Sequence, residues 1–575
     1  MFHAPGRSDE AWWRHAVIYQ VYPRSWADAD GDGVGDLPGI TARLPYLARL
    51  GVDALWISPF YGSPMADAGY DVADYRDIDD LFGTLADADR LIERAHESGL
   101  KVIVDLVPNH TSSEHPWFQA ALEAEPGSRE RARYIFREGR GERGEEPPND
   151  WQSVFWGSAW TQADPAVMAA DGTVERKAQW YLDLFDSTQP DLDWTNPEVW
   201  EEFDSVLRFW LDRGVDGFRV DVAHGLVKRA GLPDWDAMAE MAGAEDIRTG
   251  DAPMWDQDGV HEVYRAWRRT LDEYTRHLPD GSVDPDGQRI LVAEAWVEPM
   301  ERAALYVRPD EMHQAFNFHY LNAAWRAEDL RVAVEESLRG NDAVGAPTTW
   351  VLSNHDVVRH ASRLGLPVGT PRPHGIAADD PQPDEVVGLR RARAATTLML
   401  ALPGSAYLYQ GEELGLPEHT SLPHEVRQDP SHHRSMGEDV GRDGCRVPMA
   451  WEADAPAAGF NTTGRTWLPQ PASYAELAVD RQEGVEGSTL ELYRTLLRVR
   501  RERGLGWAGI APLTGLPDDV VAFALGGDDG VAHTGVVVNL SSSPVELPGE
   551  VLVASGPLEG GRLPTDTAVW IGLRP

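Results

Sequence analysis

Gly217-Phe218-Arg219-Val220-Asp221 is the stretch on which the fold turns. A short, mostly apolar run that stops at a charged side chain reads as a buried parallel strand delivering one functional group at its C-terminal end. Leu291-Val292-Ala293-Glu294 repeats the design, and Thr349-Trp350-Val351-Leu352 leads into Ser353-Asn354-His355-Asp356. Three such runs, separated by segments long enough for helices, predict a βα barrel with carboxylates converging on its upper face. Two or three carboxylates meeting in one pocket suit glycosidic bond cleavage, which takes a nucleophile, a proton donor and a group that steadies positive charge.

Outward from these runs the cadence continues. Val17–Tyr22, Ala54–Ile57 and Lys101–Leu106 read as strands one to three, with helical periodicity over Ile40–Leu50 and Ala86–Gly99. From Thr111 to Trp194 the chain is rich in Trp, Gly, Pro and charge, which predicts an insertion over the barrel mouth. The helix Glu198–Arg213 restarts the pattern. Strands four to eight follow at Gly217–Val222, Ile290–Glu294, Gln314–Phe318, Thr349–Ser353 and Ala406–Gln410. The Pro- and Gly-rich connection Ser362–Pro383 is a candidate wall at the mouth. After a last helix, Thr489–Arg503, short β-like runs predict a C-terminal β-sandwich. The expected fold is therefore α/β. A (β/α)8 TIM barrel spans 1–110 and 194–503, with an insertion over 111–193 after strand three and an antiparallel β-sandwich over 504–575.

Bulk properties narrow the function. A chain of 575 residues exceeds one compact core, so two or three domains are expected. A formal charge of -42 argues against nucleic acid, anionic membranes and polyanionic substrates, and leaves a neutral small molecule. Lysine occurs only at Lys101, Lys177 and Lys228, a pattern that fits genome composition or a salt-adapted surface. Cys445 is the single cysteine, which fits a reducing compartment. Neither a signal-peptide pattern nor an apolar run of membrane-spanning length is visible, so a cytoplasmic location is expected.

With these residues in hand, the chain resembles glycoside hydrolase family 13, the α-amylase family, over essentially its whole length. The likeness is closest to its α-glucosidase and oligo-1,6-glucosidase branch. The motifs that carry it stand in order: Asp105–His110 (DLVPNH), Gly217–Val222 (GFRVDV), Glu294 within VAEAW, and Ser353–Asp356 (SNHD). Gln189–Asp193 reads QPDLD where that branch usually has QPDLN. The resemblance implies Asp221 as nucleophile, Glu294 as general acid and then base, and Asp356 as the third acid, stabilising an oxocarbenium-like transition state. Retaining chemistry places the first two carboxyls about 5–5.5 Å apart. Arg219, two residues before Asp221 on the same strand face, can keep the nucleophile ionised. Asp105 is read either as the buried partner of Arg219 or as a direct substrate contact. His110 and His355 match imidazoles that bind hydroxyls of a terminal glucose.

Two further elements imply exo action. Asp67-Ala68-Gly69-Tyr70 resembles a D-x-G-Y element whose Asp binds the terminal sugar and whose Tyr stacks on it. Gly441–Met449 resembles a segment whose first arginine, here Arg442, clamps the same sugar. Val222, following the nucleophile, goes with α-1,6 cleavage in relatives, so maltose- and isomaltose-type oligosaccharides are both open. Asp28-Ala29-Asp30-Gly31-Asp32-Gly33-Val34-Gly35-Asp36 spaces carboxylates like the start of an EF-hand loop, but position twelve is Gly39 instead of Glu. The resemblance implies a structural Ca²⁺ or Mg²⁺ held by Asp28, Asp30, Asp32, Asp36 and the Val34 carbonyl, with no catalytic cofactor. Rival expectations are a glucosyl-transferring isomerase of trehalose-synthase or sucrose-isomerase type, an endo-acting α-amylase, and a non-catalytic membrane-protein partner. The last is disfavoured because all three acids are present and no anchor is seen.

Overall fold

The computed structural model describes residues 2–6, 11–235, 251–367, 369–370, 373–527 and 531–574. Eight parallel strands form the central sheet: β1 Val17–Val21, β2 Ala54–Ile57, β3 Lys101–Leu106, β4 Gly217–Val220, β5 Ile290–Ala293, β6 Gln314–Ala315, β7 Thr349–Val351 and β8 Ser405–Tyr409. Their order is β6-β5-β4-β3-β2-β1-β8-β7. A parallel bridge from Phe316 to Thr349 and the bond from Asn317 N–H to the Thr349 carbonyl join the two ends, so the sheet closes. Most strand residues are buried, as strands covered on both faces require.

Long helices connect them: α1 Leu37–Leu50, α2 Leu85–Glu97, α3 Pro197–Asp212, α4 Val260–Glu273, α5 Ala327–Asp342, α6 Glu385–Met399 and α7 Thr489–Glu502, with the short helix Met300–Ala303 between β5 and β6. Their starts follow local chemistry. Asp36 caps α1 by accepting from Gly39 N–H, and Thr84 and Asp87 form a reciprocal capping box on α2. α1 stops at Gly51, whose φ of 97° other residues adopt only under strain.

Inside the barrel, Ile18, Trp56, Ile103, Val292, Phe316, Val351 and Tyr407 pack into one core, floored by Trp12 and Trp13. Most of the many tryptophans fill cores in this way; Trp26, Trp56, Trp210, Trp267, Trp350 and Trp570 are fully buried.

Between β3 and α3 the chain builds a three-stranded antiparallel sheet from Phe136–Glu138, Gln179–Leu182 and Trp160–Asp164. Its apolar core (Trp151, Phe155, Trp160, Phe185) is continuous with Val222 and Trp255 of the loop after β4. The insertion is thereby seated on the strand that carries Asp221.

The C-terminal strands β9 Gly509–Pro512, β10 Val520–Gly526, β11 Ala532–Asn539, β12 Glu550–Ala554 and β13 Thr567–Gly572 form an antiparallel sheet in the order β9-β10-β11-β13-β12. One face lies on the barrel helices, where Trp570 Nε1 donates to the Thr397 carbonyl of α6. The opposite layer is slight, a Val545–Leu563 bridge with Leu513, Leu516 and Leu558 packed over Val537 and Val569. Among the described residues, no helix is long and apolar enough to cross a membrane.

Candidate active site

Register brings the acidic residues together. Arg219 lies opposite Asp105 of β3, and Val220 lies opposite Ala293 of β5, so Asp221 and Glu294 leave adjacent strands at the same level. The Asp221 N–H donates to the Leu106 carbonyl and the Glu294 N–H to the Val220 carbonyl, which prolongs the ladder to both residues.

Arg219 is the hub. Its Nη1 lies 3.0 Å from Asp105 Oδ1 and 2.6 Å from Asp221 Oδ1, and its Nη2 lies 2.9 Å from Glu294 Oε2. The guanidinium is fully buried over Trp56, and its two terminal nitrogens meet carboxyls, so Arg219 orders the acidic groups. Burial pushes the Asp221 carboxyl well above the usual carboxylate range; Arg219 opposes that rise, and Glu294, Asp105 and Asp356 add to it. Burial likewise raises Asp105 to about 6 against the pull of Arg219. One cation facing three carboxyls leaves the cluster short of positive charge, which disfavours ionising all three at once. Asp105 also accepts from Trp56 Nε1 and Tyr70 OH, which marks it as the partner of Arg219.

Val222 sits at φ 45°, a conformation that strains a β-branched residue. The turn aims the Val222 N–H at Glu294 Oε2 (2.9 Å), while Trp296 Nε1 holds the other carboxyl oxygen at 3.0 Å. Both oxygens of Glu294 are therefore fixed before any ligand arrives.

On the opposite wall, Asp356 Oδ1 meets Arg442 Nη1 at 2.9 Å and Arg446 Nη2 at 3.0 Å. Burial disfavours its charge, but His355, Arg442, Arg446 and Arg219 outweigh that and hold the carboxyl well below the usual range. The Arg442 Nη2 reaches Asp67 Oδ1 at 2.9 Å, and its Nε reaches Asp429 Oδ2 at 2.6 Å. Burial raises Asp67 to about 7, with Arg442 and Arg446 opposing.

His355 is stacked between Tyr70 (5.2 Å, 7°) and Tyr22 (5.7 Å, 25°). Its Nδ1 contacts Gln20 Nε2, and its Nε2 faces Asp356 Oδ2 at 3.2 Å. One face of Tyr70, expected to stack on a sugar, is thus occupied by an imidazole. His110 is buried at the base of the insertion, with Nε2 3.2 Å from the Tyr70 carbonyl.

At the rim, Arg434 donates to the Trp156 carbonyl (2.9 Å) and Asp439 accepts from Trp156 Nε1 (3.3 Å), tying the loop after β8 to the insertion. Arg442 lies under the Phe155 ring of the insertion. In the connection 362–383, residues 368, 371 and 372 lie outside the described residues; His374 pairs with Asp439 at the rim.

Sequence reasoning missed Asp429, Arg446, Gln20 and Gln189 as parts of the site. Gln189 Nε2 donates to Asp67 Oδ2, and the QPDLD motif was its signal. Asp429 pairs with Arg442 13 positions on, Arg446 with Asp356 across 90 positions and Gln20 with His355 across 335.

On the loop between β1 and α1, Asp28, Asp30 and Asp36 offer carboxylate oxygens within 4.8 Å of one another. Asp32 is outside that group; like Asp30 it is exposed, and its Oδ1 accepts from the Val34 N–H as Asp30 Oδ1 accepts from the Asp32 N–H. Three hard oxygen donors suit a hard cation.

Residues 20–506 match the profile of the α-amylase catalytic domain. The chain is 40% identical over 507 residues to a probable α-glucosidase of Rhizobium meliloti (strain 1021), covering 86% of this chain and 83% of that one. It is 32% identical over 577 residues to an oligo-1,6-glucosidase of Parageobacillus thermoglucosidasius, covering 95% and 93%. Among solved structures, an α-glucosyl transfer enzyme superposes with a TM-score of 0.79 at 36% identity, covering 98% of this chain and all of the other. The trehalulose synthase of Pseudomonas mesoacidophila MX-45 gives a TM-score of 0.79 at 28% identity, covering 99% of this chain and 100% of that one. With its carboxylates at the strand ends of a closed barrel, the chain belongs to the α-amylase family, glycoside hydrolase family 13, in its α-glucosidase and oligo-1,6-glucosidase branch.

Proposed function

We propose that the protein is a retaining, exo-acting α-glucosidase that releases glucose from the non-reducing ends of short α-1,4- and/or α-1,6-linked gluco-oligosaccharides. The observation that carries this reading is the wall formed by Asp67, Arg442 and Asp356 beside Asp221 and Glu294. In this reading the wall closes the subsite that holds the terminal sugar, so a chain end is accepted and a chain interior is not. The names of the relatives, α-glucosidase and oligo-1,6-glucosidase, support it.

In this reading Asp221 attacks the anomeric carbon while Glu294 gives its proton to the departing oxygen, leaving a covalent glycosyl-enzyme. Water then attacks the same carbon, Glu294 takes the water proton, and Asp221 leaves. Asp356, held ionised by two arginines, faces the positive charge that develops on the ring. His110, His355, Asp67 and Tyr70 bind the terminal sugar, and Val222 borders the leaving group. No catalytic cofactor takes part.

A second reading has a specific observation behind it. The likeness to a trehalulose synthase favours a glucosyl-transferring isomerase, which would pass the glucosyl group to a retained acceptor instead of to water. We also assign the Asp28 loop to a structural Ca²⁺ or Mg²⁺, for which Asp28, Asp30 and Asp36 fit and Asp32 and the Val34 carbonyl are further candidates. A cytoplasmic location accords with the single, buried Cys445.

A time course on maltose, isomaltose and sucrose, with products resolved by chromatography and Asp221→Asn as control, tests the function. Release of glucose from an α-disaccharide, lost in the control, is expected. Rearranged disaccharide without glucose would make it an isomerase, and no turnover by the wild type would overturn both readings.

A further inference from the structure

Of the three lysines, Lys228 alone is enclosed: its side chain is 3% exposed. Its Nζ lies 2.7 Å from Asp191 Oδ1 in the insertion, 2.7 Å from Asn109 Oδ1 after β3, and 2.5 Å from the Gly225 carbonyl after β4. Three acceptors converging on one point match a compact ammonium with three donors. A planar guanidinium would not fit them, which explains a lysine in a chain that uses arginine almost everywhere.

An ammonium can only donate, so Asn109 must turn its oxygen toward Lys228. The other half of that amide agrees independently, since Asn109 Nδ2 lies 3.0 Å from Asp191 Oδ1, an acceptor. The same Nδ2 lies 3.2 Å from His110 Nδ1. With the amide orientation fixed from two sides, His110 Nδ1 must accept, and the proton of the neutral ring sits on Nε2, toward the Tyr70 carbonyl at 3.2 Å. Gln189 Nε2 is also 3.2 Å from that nitrogen, but Gln189 Oε1 is committed to the Asp186 N–H, so this pair is a contact between donors. The charged groups around His110 are Asp191, Lys228 and, across Gln189, Asp67. Burial lowers His110 to about 4, consistent with a neutral ring.

We propose that Lys228 is a positioning residue that, through Asn109, locks His110 in its Nε2–H tautomer, so that the ring's proton lies on the side of the Tyr70 carbonyl and Gln189, next to Asp67 of the proposed terminal-sugar subsite. The kinetic consequence rests on the glucosidase reading above; the tautomer itself does not.

The test uses the full chain labelled with ¹⁵N-histidine, the His110 signals being assigned by their loss in His110→Gln. Long-range ¹H–¹⁵N correlation then reports which ring nitrogen carries the proton. The wild type should show Nε2–H. Asn109→Asp keeps Lys228 and its ion pair but can only accept, so it should draw a proton onto Nδ1 and keep His110 charged to higher pH. With p-nitrophenyl α-glucoside, this variant should lose about 10- to 100-fold in kcat/KM, chiefly in KM, with a new acid limb absent from the wild type. Lys228→Met leaves Asn109 held by Asp191 alone, so it should show a smaller Nε2–H fraction and raised KM, and Lys228→Arg should not restore either. Wild-type tautomer and pH profile in a folded Asn109→Asp would overturn the proposal, as would Nδ1–H in the wild type. If Lys228→Met fails to fold, Asn109→Asp decides. If the wild type hydrolyses no α-glucoside, the function reading fails while the ¹⁵N result still decides the tautomer.

Discussion

Asp429 offers the sharpest test of how the sugar wall is held. Its Oδ2 accepts from both the backbone N–H and the Nε of Arg442, and its Oδ1 caps a short helix by accepting from Ser431 N–H. Asp429→Asn keeps the shape but removes the charge and one of two acceptor oxygens. Hydrogen bonds to charged groups contribute ~1.5–3 kcal/mol against ~0.5–1.5 for neutral ones, so two weakened Arg442 bonds cost about 2–3 kcal/mol. Loss of the cap, where the amide NH₂ must face an N–H, adds about 1 kcal/mol. The first part falls on Arg442, which aligns Asp67 and Asp356 toward the terminal sugar. If it is expressed in transition-state binding, kcat/KM falls about 30- to 140-fold, at tenfold per ~1.4 kcal/mol. The assay is initial rates on maltose and p-nitrophenyl α-glucoside, alongside the melting temperature of the variant. A folded Asp429→Asn whose kcat/KM stays within about threefold of wild type would refute the view that this buried anion maintains the wall.

Three further outcomes follow from the geometry. Asp67, raised to about 7, is a full carboxylate acceptor only above that pH, so kcat/KM should show an acid limb near pH 7 that disappears in Asp67→Asn. Because its folded value exceeds the unfolded one, its contribution to stability falls as pH rises from about 4 to 7, and the substitution should flatten that part of a melting-temperature profile. Asp216, at the base of β4, is held below the usual range: burial opposes its charge, but His96, Lys101 and Arg289 outweigh it. The stability it contributes is present above the unfolded value and is lost as pH falls through the folded one. Asp216→Asn should destabilise by about 3–5 kcal/mol in denaturant titration, with kcat at 25 °C unchanged. If the Asp28 loop holds a divalent cation, chelation should lower the melting temperature of the wild type but not of Asp30→Asn, restored by Ca²⁺ or Mg²⁺.

The barrel and its acids were legible because their signals are local. A buried parallel strand is a continuous apolar run, and the residue that ends it must face the upper rim, so Asp221 and Glu294 are readable within five residues. The C-terminal sheet was legible for the same reason, although its second layer proved slight. The acidic loop was half legible. Spacing by two marks the donors, and only the folded loop shows that the oxygens of Asp28, Asp30 and Asp36 come within 4.8 Å of one another.

What no local pattern contains is pairing at a distance. Arg442 and Asp67 are 375 positions apart, and Gln20 and His355 are 335 apart. Lys228 reads as one surface cation among many until Asp191 and Asn109 close around it. The sequence determined which strands form and which carboxylates they deliver, since periodicity and chain termination act over a few residues. Tertiary structure alone decided which cation faces which anion and which tautomer and oxygen each side chain presents. Those choices depend on burial, where an unpaired charge or donor costs more than the chain can spare, and burial exists only once distant segments meet.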